Sequence, residues 1–102
     1  DGAAFYAITA QLAVEDVGAY IALLESSYDL HMAAQGCKLV QRLRTVDEGY
    51  LQAEVQSIWE LPSMAHYNPM RFSTGADANW NRYALEAGAL VKGGTRRFYR
   101  GV

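Results

Sequence analysis

Cysteine is nearly absent from this chain, proline is scarce, and neither sign of charge prevails. The single cysteine, Cys37, cannot close an internal disulfide, which fits a reducing compartment or indifference to redox state. Only two prolines, Pro62 and Pro69, occur, and the glycines are not clustered, so no linker or low-complexity stretch divides the chain. No apolar run approaches the ~20 residues that span a bilayer, and no charged-then-apolar leader is expected ahead of Phe5. The expectation is a soluble, cytoplasmic protein with no membrane partner. A formal net charge of −2 argues against a phosphate-tracking surface, because nucleic-acid binding normally leaves a basic excess. No glycine-rich dinucleotide loop, phosphate-binding loop or nucleophile elbow is present.

What is present is apolar and periodic. Hydrophobic residues make up 51% of the 102 positions, which suits one globular domain over residues 1–102 with a single modest core. "FYAITAQL" (5–12) alternates with a period of two, with Tyr6, Ile8, Ala10 and Leu12 on one face and Ala7, Thr9 and Gln11 on the other, and reads as a half-buried strand. Glu15 and Asp16 then suit a helix N-terminus. Val17, Tyr20, Leu24, Tyr28 and His31 follow at spacings of three and four, forming one inward stripe that should end at Gly36.

The period returns to two over 38–45 and 51–59, with "VDEGY" between, which predicts a hairpin. Pairing Arg44 with Gln52 would put Arg42 opposite Glu54 and Val40 opposite Gln56. Leu39, Leu43, Ala53, Val55 and Trp59 would then gather on the reverse, apolar face. Ser63 is a candidate N-cap for a short helix that Pro69 must end or kink. Asp77 is a second N-cap candidate, ahead of a stripe of Trp80, Tyr83, Ala84, Ala87 and Val91 closed by Gly93 and Gly94. "TRRFYR" (95–100) reads as a last strand that guards a sheet edge or a dimer rim.

With right-handed crossovers, this order gives an α+β, ferredoxin-like βαββαβ unit in which helices cover one side of a four-stranded antiparallel sheet. The other side should carry Arg42, Arg44, Gln52, Glu54 and Gln56, with Val40, Ile58 and Phe98 on or near it. Those apolar additions favour two such sheets facing one another in a homodimer. Gln52, Glu54 and Gln56 are not the aromatic and basic residues of an RNA-recognition surface, so RNA is not an expected partner.

The chain resembles the NIPSNAP-like branch of the dimeric α/β barrel superfamily. The resemblance runs from Phe5 to about Arg100, through "AYIALLE", "GCKLVQRLRT", "QSIWEL" with Trp59, Ser63 opening the next helix, and "ANWNRY". It implies sheets packed face to face as a dimeric α/β barrel and, in related members, a pocket between each sheet and its own helices. It does not imply one activity, since the wider superfamily includes cofactor-free monooxygenases, cyclases, isomerases and haem-degrading enzymes. The sequence departs from the family at "HYNPMRF" (66–72), where a continuous charged helix would be expected.

His66 is a candidate general acid or base, with Tyr67 and Asn68 as donors to a developing oxyanion. At a turn before Pro69, the same residues could instead satisfy backbone groups. His31, on the inward stripe, is a second candidate base or a hydrogen-bonded core residue. Trp59, Trp80, Tyr20, Tyr28 and Tyr83 would wall a small-molecule pocket, unless they are simply core. Arg42 and Glu54 would be a structural cross-strand pair, and Cys37 a packing residue. Two histidines with scattered carboxylates match no compact ligand motif, so no metal and no cofactor is expected, with a haem or metal binder as the outlying alternative. The leading reading is a cofactor-independent proton-transfer enzyme of isomerase, cyclase or monooxygenase type, acting on a small apolar molecule that is aromatic or polyketide-like. A non-catalytic binding or assembly protein of the same fold is the competing one.

Overall fold

A layer of helices lies on one side of a sheet whose four strands run in the order β2-β3-β1-β4, every neighbouring pair antiparallel. In chain order the elements are β1 (Phe5–Ala13), α1 (Val17–Leu23), a π-helical turn (Leu24–Tyr28), α2 (Asp29–Ala34), β2 (Lys38–Arg44), β3 (Glu54–Leu61), α3 (Ala78–Ala87) and β4 (Val91–Arg100). The computed structural model describes residues 4–13, 16–46, 53–63 and 77–102. The expected ferredoxin-like α+β fold is the one observed. The connection between β2 and β3 (47–52) and the segment 64–76, which contains His66, Tyr67, Asn68 and Pro69, lie outside the described residues.

The local signals set the helix ends. Asp16 caps α1 by accepting from the Ala19 amide at 2.9 Å, and Asp77 caps α3 by accepting from Asn79 and Trp80 at 2.8 and 3.2 Å. α2 stops at Gly36, whose φ of +83° lets the Gly36 amide bond back to Ala33 and the Cys37 amide to Met32. Between α1 and α2 the Asp29 amide reaches the Leu24 carbonyl, five residues back, making a π turn. The inward stripe survives this widened turn, and Tyr20, Leu24, Tyr28 and His31 are all buried.

The expected register of the hairpin does not hold. Leu39 pairs with Trp59, but Gln41 pairs with Ile58, so a bulge at Val40 inserts one extra residue into β2. From there the strand is inverted relative to expectation, with Arg42 opposite Ser57, Leu43 opposite Gln56 and Arg44 opposite Val55. Residues directly opposite share a sheet face. Arg42 therefore turns toward the helices and Leu43, 42% exposed, toward the open face. The expected Arg42–Glu54 pair is replaced by an ion pair between Arg42 and Asp29 on α2.

Two further expectations are corrected on β4. α3 ends at Ala87 rather than running through Val91, and β4 begins at Val91, taking Gly93 and Gly94 into the strand. β1 has a full-length ladder to offer, and pairing along it outweighs the weak helical stripe beyond Ala87. Gly94 sits opposite Gln11, where a Cβ would overlap the Gln11 side chain and the Ala10 carbonyl oxygen. Phe98 pairs with Ala7 and packs against the core on the covered face, not on the open one.

The core lies between the covered face and the helices, with Ala7, Val55, Trp59 and Leu61 from the sheet meeting Tyr20, Leu24, Tyr28 and Met32. The small residues of β1, Ala7 and Thr9, are the buried ones, while Tyr6, Ile8 and Leu12 look out from the open face. Among the described residues, no helix is long and apolar enough to cross a membrane.

Candidate functional site

One row of residues crosses all four strands on the covered face. Arg42 on β2 faces Ser57 on β3, Ser57 faces Thr9 on β1, and Thr9 faces Arg96 on β4. Two hydroxyls thus lie between two guanidinium groups under a helical roof of aromatic side chains. Ser57 and Thr9 are buried, 3% and 6% exposed, although both stand on a face whose other residues are mostly apolar.

Above this row is a cavity of about 160 Å³. Thr9, Gln11, Val55, Ser57 and Arg96 line it from the sheet, and Tyr20, Leu24, Tyr28, Trp80 and Tyr83 from the helices. For scale, an engineered protein cavity of about 150 Å³ takes up benzene. The space thus suits a molecule built around one ring.

The roof is a continuous aromatic cluster, with ring centroids 5.0 Å apart for Tyr28 and Tyr83, 5.8 Å for Trp80 and Tyr83, and 6.1 Å for Tyr28 and Trp80. Among the described residues, its polar atoms are paired in a way that leaves donors over. The Tyr20 and Tyr83 hydroxyls are 2.8 Å apart, and either can donate to the other. Whichever accepts keeps its own proton to offer. The Tyr28 hydroxyl accepts from Arg96 at 3.3 Å and likewise retains a proton. Burial, above all, raises the pKa of Tyr20, Tyr28 and Tyr83 above that of an ordinary phenol, so these groups are neutral donors rather than bases.

The floor is held in place from one side. Arg42 donates its Nε hydrogen to Ser57 Oγ at 3.0 Å and its two terminal nitrogens to the Asp29 carboxylate at 2.7 and 2.8 Å. The fork-to-carboxylate geometry fixes the guanidinium, and the guanidinium fixes the serine oxygen. Ser57 Oγ, already accepting one bond, has its own hydrogen for another partner.

Of the residues expected to wall a pocket, Tyr20, Tyr28, Tyr83 and Trp80 line the cavity together. Trp59 lies below them, 2% exposed, with its ring edge-on to Tyr28 at 6.2 Å, and its Nε1 is buried without a hydrogen-bond partner among the described residues. His31 is not in the lining. It stands one aromatic layer behind, 2% exposed, with ring centroids 5.5 Å from Trp80 and 6.2 Å from Tyr28. Its Nδ1 is 2.6 Å from Asp77 Oδ2, the other carboxylate oxygen from the one that caps α3. That bond, first among the causes, lowers the Asp77 pKa below the usual carboxylate value. An ionised carboxylate only accepts, so Nδ1 carries the proton and Nε2 is the basic nitrogen. His66, Tyr67 and Asn68 fall outside the described residues. Among those described, no group of three His, Cys, Asp or Glu side chains is placed to hold a metal ion.

Sequence reasoning did not find Thr9, Gln11, Ser57 or Arg96. A signal existed for three of them, since Thr9 and Gln11 alternate with the apolar positions of β1 and Ser57 interrupts the otherwise apolar face of β3. Arg96 lies within the basic run at the C-terminus, where sequence alone offers no way to single out one arginine.

No protein-family model matches the sequence, and a comparison with curated proteins finds no match. Solved structures do match. A NIPSNAP family protein of unknown function from Agrobacterium tumefaciens superposes with a TM-score of 0.76 at 19% identity, covering 97% of this chain and 88% of its own. A NIPSNAP domain protein from Burkholderia xenovorans gives 0.72 at 14% identity, covering 93% and 91%. A protein from Mycobacterium tuberculosis gives 0.64 at 15% identity, covering 97% and 95%. The chain has the fold of the NIPSNAP proteins, as the sequence resemblance implied.

Proposed function

We propose that this protein is a cofactor-independent enzyme that binds a small aromatic or polyketide-like molecule between its sheet and helices and moves a proton on it. The observation that carries this reading is the Tyr20–Tyr83 hydroxyl pair, 2.8 Å apart on the wall of a ring-sized cavity. A neutral phenolic donor in a desolvated site stabilises an enolate or phenolate oxygen without itself losing a proton. Ser57 and Tyr28 add donors to the same space. The base is His66, with Tyr67 and Asn68 beside it in sequence, or His31 acting from behind the aromatic layer. An isomerase, cyclase or oxygenase step begins with such a proton transfer.

A second reading, a non-catalytic binding protein, is favoured by one observation. The cavity lining contains no imidazole and no carboxylate among the described residues. Deuterium exchange into phenylacetone, a one-ring ketone with acidic C–H bonds, separates the two readings. An enzyme exchanges these hydrogens faster than buffer does, and His66→Asn or His31→Asn removes about a hundred-fold of that rate. Binding without exchange above buffer, or exchange unchanged in both variants, assigns the protein to the binding class.

We further propose a homodimer formed through the open sheet faces. Leu12, Val40, Leu43 and Tyr99 are 38%, 51%, 42% and 45% exposed, and Tyr6, Ile8 and Ile58 accompany them. A patch of that kind marks an interaction surface. Light scattering should give twice the chain mass for the wild type and a monomer for Leu43→Glu; a wild-type monomer at micromolar concentration rejects the dimer.

A further inference from the structure

We infer that the cavity recognises an anion, and that Arg96 is the residue that binds the carboxylate of a one-ring aromatic acid there. The inference rests on the proposed small-molecule site and adds the charge of its ligand. It comes from the contrast between the two arginines at the ends of the polar row. Arg42 is neutralised, with both terminal nitrogens on Asp29 and Nε on Ser57. Arg96 has no carboxylate partner among the described residues, and its hydrogen bond goes to a neutral phenol, Tyr28, at 3.3 Å.

A guanidinium has five N–H donors in a planar fork that matches a carboxylate, and among the described residues one bond to a phenol leaves most of them unused. Arg96 both lines the cavity and is exposed, so its charge stands where the cavity meets water. A ligand placing its ring under Trp80 and Tyr83 can there meet the fork of Arg96, the spare proton of Tyr28 and the Thr9 hydroxyl opposite Arg96 in the ladder. Charge-assisted bonds of this type are about twice as strong as neutral ones, so an acid gains over its uncharged isostere.

Benzoate and benzamide, equal in size but differing in charge, provide the test. Titration by NMR or calorimetry should show benzoate binding at least ten-fold tighter to the wild type, with the preference falling as salt is added. Arg96→Gln should equalise the two probes, and Arg96→Lys should keep part of the preference. Arg97→Gln, whose side chain pairs on the open face opposite Ile8, should leave it intact. Thermal melts verify that each variant is folded. If benzamide binds as well as benzoate, or the preference survives Arg96→Gln, the anion assignment is wrong and the cavity reading stands. If neither probe binds at millimolar concentration, both are overturned.

Discussion

Arg42 lies directly across the β2–β3 ladder from Ser57 and donates its Nε hydrogen to the serine hydroxyl at 3.0 Å. That contact exists only because the bulge at Val40 turns the outer half of β2 over. With the register continued without a bulge, Leu43 would face the helices and Arg42 the open side. The observed arrangement puts a half-buried charge under the cavity and balances it with Asp29 from α2.

The balance can be tested directly. Asp29→Ala leaves the Arg42 guanidinium, whose side chain is 12% exposed, without its counter-ion and should cost about 2–3 kcal/mol in urea unfolding. Adding Arg42→Met to Asp29→Ala should restore a large part of that loss, because no uncompensated charge then remains. Two independent, additive losses would show that the pair is not coupled.

The tyrosines provide a pH signature. Burial raises the pKa of Tyr20, Tyr28 and Tyr83, three of the seven tyrosines in the chain. A raised phenol contributes stability that is fully present below the ordinary value near 10 and is lost as pH rises from there toward the folded value. An ultraviolet alkaline titration should therefore show three tyrosines ionising late, together with unfolding. Seven phenols titrating as one class near pH 10 would contradict the buried cluster.

Tyr83→Phe removes the hydroxyl that pairs with Tyr20, which is fully buried. The expected loss is about 1–2 kcal/mol of stability, the cost of leaving a buried hydroxyl unpartnered. Weaker binding of any cavity ligand should accompany it. A variant as stable as the wild type would place water, rather than Tyr83, as the partner of Tyr20.

Asp77 both caps α3 and holds His31, and one substitution separates the two roles. Asparagine caps about as well as aspartate, so Asp77→Asn keeps the helix start and removes the charge facing the imidazole. The carboxyl lies below its usual value in the folded state, so its contribution is present above about pH 4 and fades as pH falls through the lowered value. The stability difference between wild type and Asp77→Asn should be about 1 kcal/mol near neutrality and vanish in acid. A difference independent of pH would mean that the carboxylate's bond to His31 contributes nothing.

Among the described residues, the sequence alone determined which elements form, their order and several of their ends. Alternation marks β1 and β3, the three-and-four spacing from Val17 to His31 marks the first helices, and Asp77 and Gly36 declare their caps, because each signal is written within a few residues. Register is a different kind of choice. A strand with polar residues at Arg42 and Arg44 and apolar ones at Leu39 and Leu43 reads as regular until a bulge shifts it, and what favours the bulge lies elsewhere, in Asp29 and Ser57. The start of β4 was decided in the same way, by the ladder that β1 offers. For the site, the aromatic wall was legible because large rings at helical spacing point inward together. The polar row from Arg42 to Arg96 was not, since it assembles one residue from each of four strands. Only the sheet brings them into line.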